Sequence, residues 1–437
     1  MPSPHVLKFG GAALADGPAI LRACAIVREH GGSRPIVVVS AALGVTDLLE
    51  AAAAAAARGG CELERIRLRH RTLVRQLGLD PELLDRHLGE LTRLLEQVRR
   101  SGRLAPSERD FALSFGERMS ARIVARALRR TGVAATPVDA FDLGFTTDSN
   151  HGSARLEEGA LAAIRAATEE VPGVAVVTGF LAKDRRGNLT TLGRNGSDLT
   201  ASIIAEAVGA AEIQFWKAVG GVMTADPALV EDAAVIERLS FAEAAELAFH
   251  GASVLHPAAV APALRACARV RFCDVRDPRS PGTRLERSVP RQGPVGIAAR
   301  RGVVRVDLDV ETPERRARRL VELFATLEAF GVAPGLVVSS ADRASAIVPD
   351  TPALERVASR LGDGVRLTRG LASLALVGPG TALDAGLERL RAAGVAVRAA
   401  FLGERELSQA FLVAEGDLRA AARALHGAVA VSPRTVP

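Results

Sequence analysis

The sequence predicts an α/β chain: a three-layer α/β/α sandwich with a mostly parallel sheet over residues 1–290, then two small ferredoxin-like α+β modules at 295–365 and 366–437. Three observations carry this expectation. Short β-branched runs alternate with longer helical stretches through the first 290 residues, as in a parallel sheet with helical crossovers. Pro and Gly then cluster from Ser280-Pro281-Gly282 to Pro290-Arg291-Gln292-Gly293-Pro294, as they do in linkers. Beyond that break a strand, helix, strand, strand, helix succession occurs twice, a weak internal repeat of about 65 residues.

Taken in order, the expected strands of the first region are Val6 to Phe9, Ile36 to Ser40, Ala135 to Asp139, Val174 to Gly179, Ile213 to Trp216 and Val270 to Asp274. Three run into polar or glycine-bearing turns at Gly10-Gly11, Ser40-Ala41-Ala42 and Gly179, at the strand ends where open α/β sheets bind ligands. Residues 58–110 are charged, Leu-rich and helical, without a chemical signal. In the first module Val303 to Val310, Ala333 to Ser339 and Ala344 to Pro349 read as strands, with helices at Pro313 to Phe330 and Ala353 to Leu361. In the second, strands fall at Ala372 to Val377, Ala396 to Phe401 and Gln409 to Val413, and helices at Ala382 to Ala393 and Leu418 to His426.

Composition excludes several classes. At 437 residues and 48% hydrophobic the chain fills two to four domain cores. Its net charge of +6 does not predict a nucleic-acid binder, because aromatics are 3%, Tyr is absent and the Arg residues are interspersed with acids. No run of about 18 apolar residues marks a membrane span; Ala51 to Ala57, flanked by Glu50 and Arg58, reads as a soluble helix. Cys24, Cys61, Cys267 and Cys273 have the spacing of neither a metal site nor a disulfide framework. With no export signal expected at the N-terminus, the cytoplasm is the predicted location.

Among 56 basic residues only Lys8, Lys183 and Lys217 are lysine. A compact ammonium and a planar guanidinium are not interchangeable where phosphoryl oxygens crowd together, so Lys8, just before Gly10-Gly11, is the leading chemical candidate. Gly10-Gly11 lets backbone N–H groups approach an anion, although alone it is equally a plain turn, and it fits neither the Walker nor the dinucleotide pattern. Ser40 and Thr46 offer hydroxyls after the second strand, with Thr46 or Asp47 as a helix cap being the alternative. Glu117, in Ser114-Phe115-Gly116-Glu117-Arg118, is either a site carboxylate or a solvated helix residue. Gly193-Arg194-Asn195-Gly196-Ser197-Asp198 gathers a carboxylate-binding fork, turn formers and an acid just before a helix expected near Leu199.

These blocks, with Thr178-Gly179-Phe180 and Val254-Leu255-His256-Pro257, occur in the order found in aspartate kinases of the amino-acid kinase superfamily, which the chain resembles over nearly its whole length. The resemblance implies the amino-acid kinase fold followed by tandem ACT modules. It implies transfer of a phosphoryl group from ATP, with Mg²⁺, to the side-chain carboxylate of L-aspartate or a close analogue, the first step of aspartate-family amino-acid biosynthesis. By position it puts Lys8, Gly10 and Gly11 at the transferred phosphates and makes Lys8 and Asp198 the catalytic pair. Ser40, Thr46, Glu117 and Arg194 then surround aspartate, and Gly196, Ser197 and Lys217 stand beside phosphate and nucleotide, with no protein metal-ligand set. It also implies feedback regulation and pairing of ACT modules into a homodimer or larger assembly.

The match departs on the nucleotide side. The family's acids after the fifth strand are absent from Lys217-Ala218-Val219-Gly220-Gly221, and Met223, Ala228 and Ser253 stand where it has Tyr, Arg and Lys. The hydroxyl pair after Gly-Gly is Ala12-Ala13, and the effector segment of the last module reads Arg405-Glu406-Leu407-Ser408-Gln409-Ala410. Each lost charge-assisted contact costs about 1–3 kcal/mol. A catalytically weak paralogue that binds an amino acid as a regulatory or assembly partner, or a related acid kinase with an altered donor or acceptor, is therefore the alternative.

Overall fold

A computed structural model of the chain describes residues 3–30, 35–193, 195–252, 257–310, 312–380, 383–403 and 407–429. The chain divides into two compact units, the first formed by Met1–Val222, Glu237–Phe241 and Leu255–Ser288. Its strands are β1 (His5–Phe9), β2 (Pro35–Val39), β3 (Ala135–Val138), β4 (Thr146–Thr147), β5 (Val174–Thr178), β6 (Leu181–Asp184), β7 (Leu189–Thr191), β8 (Glu212–Lys217), β9 (Arg238–Ser240), β10 (Arg269–Asp274) and β11 (Thr283–Glu286). Eight of them make one sheet in the order β3-β5-β2-β1-β8-β10-β11-β9. All six expected strands lie in it and pair in parallel, with Val6 opposite both Ile36 and Ile213. Continuous buried runs such as Val174–Thr178 suit strands covered on both faces.

The antiparallel partner β11, with β9 beside it, and the small β4-β6-β7 sheet are additions to the sequence reading. Strands of two to four residues are too short to show a period.

Helices α1 (Gly17–His30), α2 (Val45–Ala57), α3 (Leu63–Gln76), α4 (Asp85–Ser101) and α5 (Pro106–Arg130) share one core with Leu7, Phe9, Val37, Val39 and Val176 of the sheet. The Leu-rich 58–110 stretch thus supports α2 and α5 through Ile66, Leu73, Leu91 and Val98. On the opposite side α7 (Gly196–Val208) packs on β1, β2 and β8 with α6 (Ala160–Glu169) and α9 (Pro257–Arg265) against it, while α8 (Phe241–Phe249), which precedes α9 in the chain, belongs to the second unit from Ala242 on.

The second unit comprises Met223–Ile236, Ala242–Val254 and Val289–Pro437. Its strands β12 (Gly296–Asp309), β13 (Leu336–Ser339), β14 (Arg343–Pro349), β15 (Val365–Val377), β16 (Ala399–Leu402) and β17 (Ser408–Ala414) form one antiparallel sheet ordered β13-β14-β12-β15-β17-β16. Helices α10 (Arg316–Ala329) and α11 (Ala353–Leu361) cover the first half, and α12 (Leu383–Ala392) and α13 (Leu418–His426) the second. The two βαββα halves share the sheet through β12 and β15, both longer than the sequence suggested. Two irregularities, between Arg300 and Val303 and between Val303 and Arg305, had hidden their continuity. Each carries a glycine at positive φ, Gly302 at 58° on β12 and Gly370 at 71° on β15, as single-residue bulges require.

The excursion Met223–Ile236 contributes Ala225, Leu229 and Val230 to the core that holds Leu374, Phe411 and Leu425. Buried contacts fasten both excursions: Thr224 Oγ1 lies 2.9 Å from His426 Nε2, and Ser408 Oγ donates to Glu246 Oε2 at 2.6 Å.

Candidate active site

Strand β1 carries Lys8 to the carboxyl edge of the sheet, where the chain turns through Gly10 and Gly11. The Gly10 N–H donates to the Trp216 carbonyl at 3.3 Å, and the Ser40 and Leu43 N–H groups donate to Phe9 O and Gly11 O at 3.1 Å. The bare backbone is needed here: a Cβ at Gly11 would lie 2.8 Å from Ala41 O, and one at Gly10 would stand 3.6 Å from the Lys8 ammonium.

Helix α7 supplies the second wall. Its N-cap is Asn195, at φ 55°, a left-handed conformation that Asn tolerates better than most residues, so the helix begins at Gly196, ahead of the expected Leu199. This brings Asp198 into the first turn, where Lys8 Nζ lies 2.6 Å from its Oδ1 with both side chains buried. The bare Gly179 makes the approach possible, since a Cβ there would lie 2.4 Å from Ser197 Oγ. Lys217, the last residue of β8, is half-buried rather than an exposed strand end. Burial lowers its ammonium below the usual lysine range, Asp198 draws it back up, and Lys8 pushes it down.

Helix α5 supplies the third wall. Its start is fixed by Pro106 at the first turn and by the Ala105 N–H donating to Glu108 Oε2 at 2.9 Å. Glu117 sits in its buried middle, 5% exposed, so the solvated reading is wrong. Burial pushes its carboxyl up to about 7, against the opposing pull of the Ala41 N–H, its own N–H and the Lys8 charge. One Glu117 oxygen, Oε2, is buried without a hydrogen-bond partner. The cap reading of Thr46 and Asp47 also fails: α2 is capped by Gly44 at φ 78° with no side-chain cap bond.

Ser40, Thr46, Glu117, Gly11, Gly196 and Ser197 line one cleft of about 490 Å³. Lys8, Gly10, Asp198 and Lys217 are not among its lining residues; Gly10 and Asp198 are chain neighbours of Gly11 and Ser197, which are. Arg194 lies outside the described residues, although Gly193 and Asn195 on either side of it line the cleft, and Ser253, Arg405 and Glu406 are likewise outside. Sequence reasoning missed Phe180, which lines the cleft at φ 70° with its N–H donating to Thr200 Oγ1 at 2.9 Å, and the Arg109–Glu50 ion pair at 2.7 Å. A larger cavity of about 1070 Å³ borders Arg118, Arg122 and Asp139 and contains none of the predicted site residues. Among the described residues no group of three or more His, Cys, Asp or Glu side chains is placed to hold a metal ion, and no helix is long and apolar enough to cross a membrane.

The profile of the Amino acid kinase family matches residues 4–274. Aspartokinase 1, chloroplastic, of Arabidopsis thaliana is 32% identical over 96% of this chain and 79% of its own length. Lysine-sensitive aspartokinase 3 of Escherichia coli is 36% identical over 64% of this chain and 63% of its own length. In three dimensions the chain is similar to E. coli aspartokinase III in complex with aspartate and ADP, with a TM-score of 0.84, 29% identity, and coverage of 97% of this chain and 99% of that one. A cleft at the carboxyl edge of a mostly parallel sheet, a Lys–Asp pair at its rim and this likeness along both units place the chain among the aspartokinases of the amino acid kinase family.

Proposed function

We propose that the 490 Å³ cleft is where this aspartokinase transfers the γ-phosphoryl group of ATP to the side-chain carboxylate of L-aspartate. The carrying observation is the buried Lys8–Asp198 pair, 2.6 Å apart, beside a cleft whose far wall holds the unpartnered Glu117 oxygen. An aspartate carboxylate, with an ordinary pKa of about 3.9, is already ionised at neutral pH and needs no general base. One of its oxygens attacks the γ-phosphorus, the bond to the β-phosphate bridge breaks, and 4-phospho-L-aspartate and ADP result. The protein's task is charge neutralisation and in-line placement.

Lys8 screens the repulsion between the two anions, and the Gly11 amide and the Ser197 amide in the first turn of α7 offer N–H groups to phosphoryl oxygens, those of Gly10 and Gly196 being held by Trp216 O and Gly193 O. Glu117 takes the α-ammonium, Arg194 the α-carboxylate, and Ser40 and Thr46 offer hydroxyls to the same substrate. Lys217 adds positive charge toward the phosphates. Magnesium usually keeps several waters and binds chiefly through substrate phosphates, so it would need no dedicated set of protein ligands here. When bound, it neutralises charge on the β- and γ-phosphates. The aspartate and ADP held by the E. coli relative support both ligands here.

The regulatory-paralogue alternative is not favoured: the likeness to aspartokinases speaks against it, and Ser40, Thr46 and Glu117 line one cleft beside the Lys8–Asp198 pair. The paired βαββα halves support allosteric control and a homodimer formed through them. The cysteines, free of disulfides, support a cytoplasmic setting.

Purified protein with Mg-ATP, aspartate and hydroxylamine is expected to accumulate aspartyl hydroxamate, and Lys8→Ala to abolish it. Hydroxamate formation undiminished in Lys8→Ala, or aspartate binding without any hydroxamate, refutes the assignment.

A further inference from the structure

We propose that Asp110, which is not among the residues lining the 490 Å³ cleft, is a positioning residue that sets the distance between the two walls of the aspartate site; this rests on the reading of that cleft as the aspartate site. Asp110 lies two helical turns before Glu117 on α5, so the two carboxylates share a helix face. Its side chain is fully buried and accepts four hydrogen bonds from two other segments. The Thr191 N–H and Gly152 N–H donate to Oδ2 at 3.1 and 2.9 Å, His151 Nδ1 donates to the same oxygen at 3.1 Å, and Thr191 Oγ1 donates to Oδ1 at 2.9 Å.

A buried carboxylate is costly unless its lone pairs are met, and here three of the four bonds come from Gly152 and Thr191, which line the cleft with Glu117. Thr191 ends β7 and leads through Gly193, at φ 80°, into the turn before α7; Gly152 lies against that turn, its carbonyl 3.4 Å from where a Gly193 Cβ would be. Gly152, Thr191 and Gly193 all line the cleft. Asp110 therefore ties the helix that carries Glu117 to the loop that carries Arg194. Replacing it with Asn presents an NH₂ group to donors on one side or the other, which separates the walls without touching the Lys8–Asp198 rim.

The test uses the full chain with steady-state kinetics in both substrates and a thermal melt of each variant. Asp110→Asn is expected to raise the KM for aspartate about tenfold to a hundredfold, the loss of one or two charge-assisted bonds, with the KM for ATP changed less than about twofold. Thr191→Val, which keeps the backbone bond and loses only the hydroxyl, is expected to raise the aspartate KM about fivefold. In the double variant it should add little to Asp110→Asn. If Asp110→Asn does not fold, Thr191→Val alone decides, and an unchanged aspartate KM overturns the proposal. Equal losses in both KM values and kcat overturn it as well, since that is what a purely structural role gives. Glu117→Gln separates the two levels of argument. An unchanged aspartate KM there sinks the cleft assignment itself, whereas a raised one with Asp110→Asn unaffected sinks only this inference.

Discussion

The acceptor and donor sides of the reaction are built differently. On the acceptor side Glu117, Ser40, Thr46 and the Thr191–Gly193 turn all belong to one unit and are set by a long helix, two strand ends and a buried hydrogen-bond network. On the donor side the chain leaves Lys217, crosses Gly220-Gly221 and enters the second unit at Met223. The proposed aspartate-recognition groups thus all belong to one unit. Of the residues that depart from the family, Met223 and Ala228 sit in an excursion held by the core of the other unit, whereas Ala12, Ala13, Ala218 and Gly220 belong to the first. The difference teaches what packing constrains: Ala225, Leu229 and Val230 of the excursion are held in the core of the second unit, whereas Met223 and Ala228 are not part of that core.

The largest effect that would sharpen this contrast is at Glu117. Loss of its charge in Glu117→Gln should lower kcat/KM for aspartate by about 10²-fold while leaving the KM for ATP little changed. Its carboxyl, pushed up to about 7 by burial, must be ionised to hold an ammonium, so kcat/KM for aspartate should climb with pH through about 7. Below that point it should fall roughly tenfold per unit, because kcat/KM reports the free enzyme. Glu117→Gln should flatten this limb, and a profile that keeps its slope in the variant would assign the ionisation elsewhere. The stability linkage has the opposite sign. The folded pKa is raised above 4.5, so the native state holds the proton longer, and the contribution of Glu117 is lost as pH rises from 4.5 through about 7.

An intermediate effect is expected at Gly11, which stands between the two sides. A methyl group in Gly11→Ala meets Ala41 O at 2.8 Å and must displace the Ala41 backbone, whose N–H bonds to Glu117. A fall in kcat on the order of tenfold, felt with both substrates, is the expected outcome of such misplacement. An effect confined to ATP would show the turn to serve the donor side alone. The smallest effect is at Lys217, where Lys217→Met should raise the KM for ATP about fivefold and leave that for aspartate unchanged, the loss of one cation near phosphate. If neither constant moves, the donor side works without it.

Much of this was legible in the sequence because its signals were dense. Of the six parallel strands β1, β2, β5 and β8 are nearly continuous buried runs, the glycine turns follow strand ends, and Lys8 stood out by scarcity of type. What escaped had no local signature. Asp110 is one acid among the polar residues of α5, and its meaning comes from Gly152, His151 and Thr191, between 41 and 81 residues away along the chain. Glu117 could be assigned a role only through its motif, since periodicity alone does not separate a buried helix carboxylate from a solvated one. The early start of α7 depended on Asn195 accepting a left-handed conformation, and the full lengths of β12 and β15 were masked by polar bulges.

Those two bulges have a consequence of their own. One adds a residue to β12 and the other adds one to β15, and they cancel: Arg300 faces Ser373 and Arg305 faces Thr368, so the offset is the same on both sides. The halves of the regulatory sheet are therefore in phase only by mutual compensation. Deleting one residue at Gly302 would exchange inward and outward faces along the rest of β12, whereas deleting Gly370 as well would restore them. Insertions and deletions at this seam should thus be tolerated only as matched pairs, which makes it a ratchet against independent drift of the two modules.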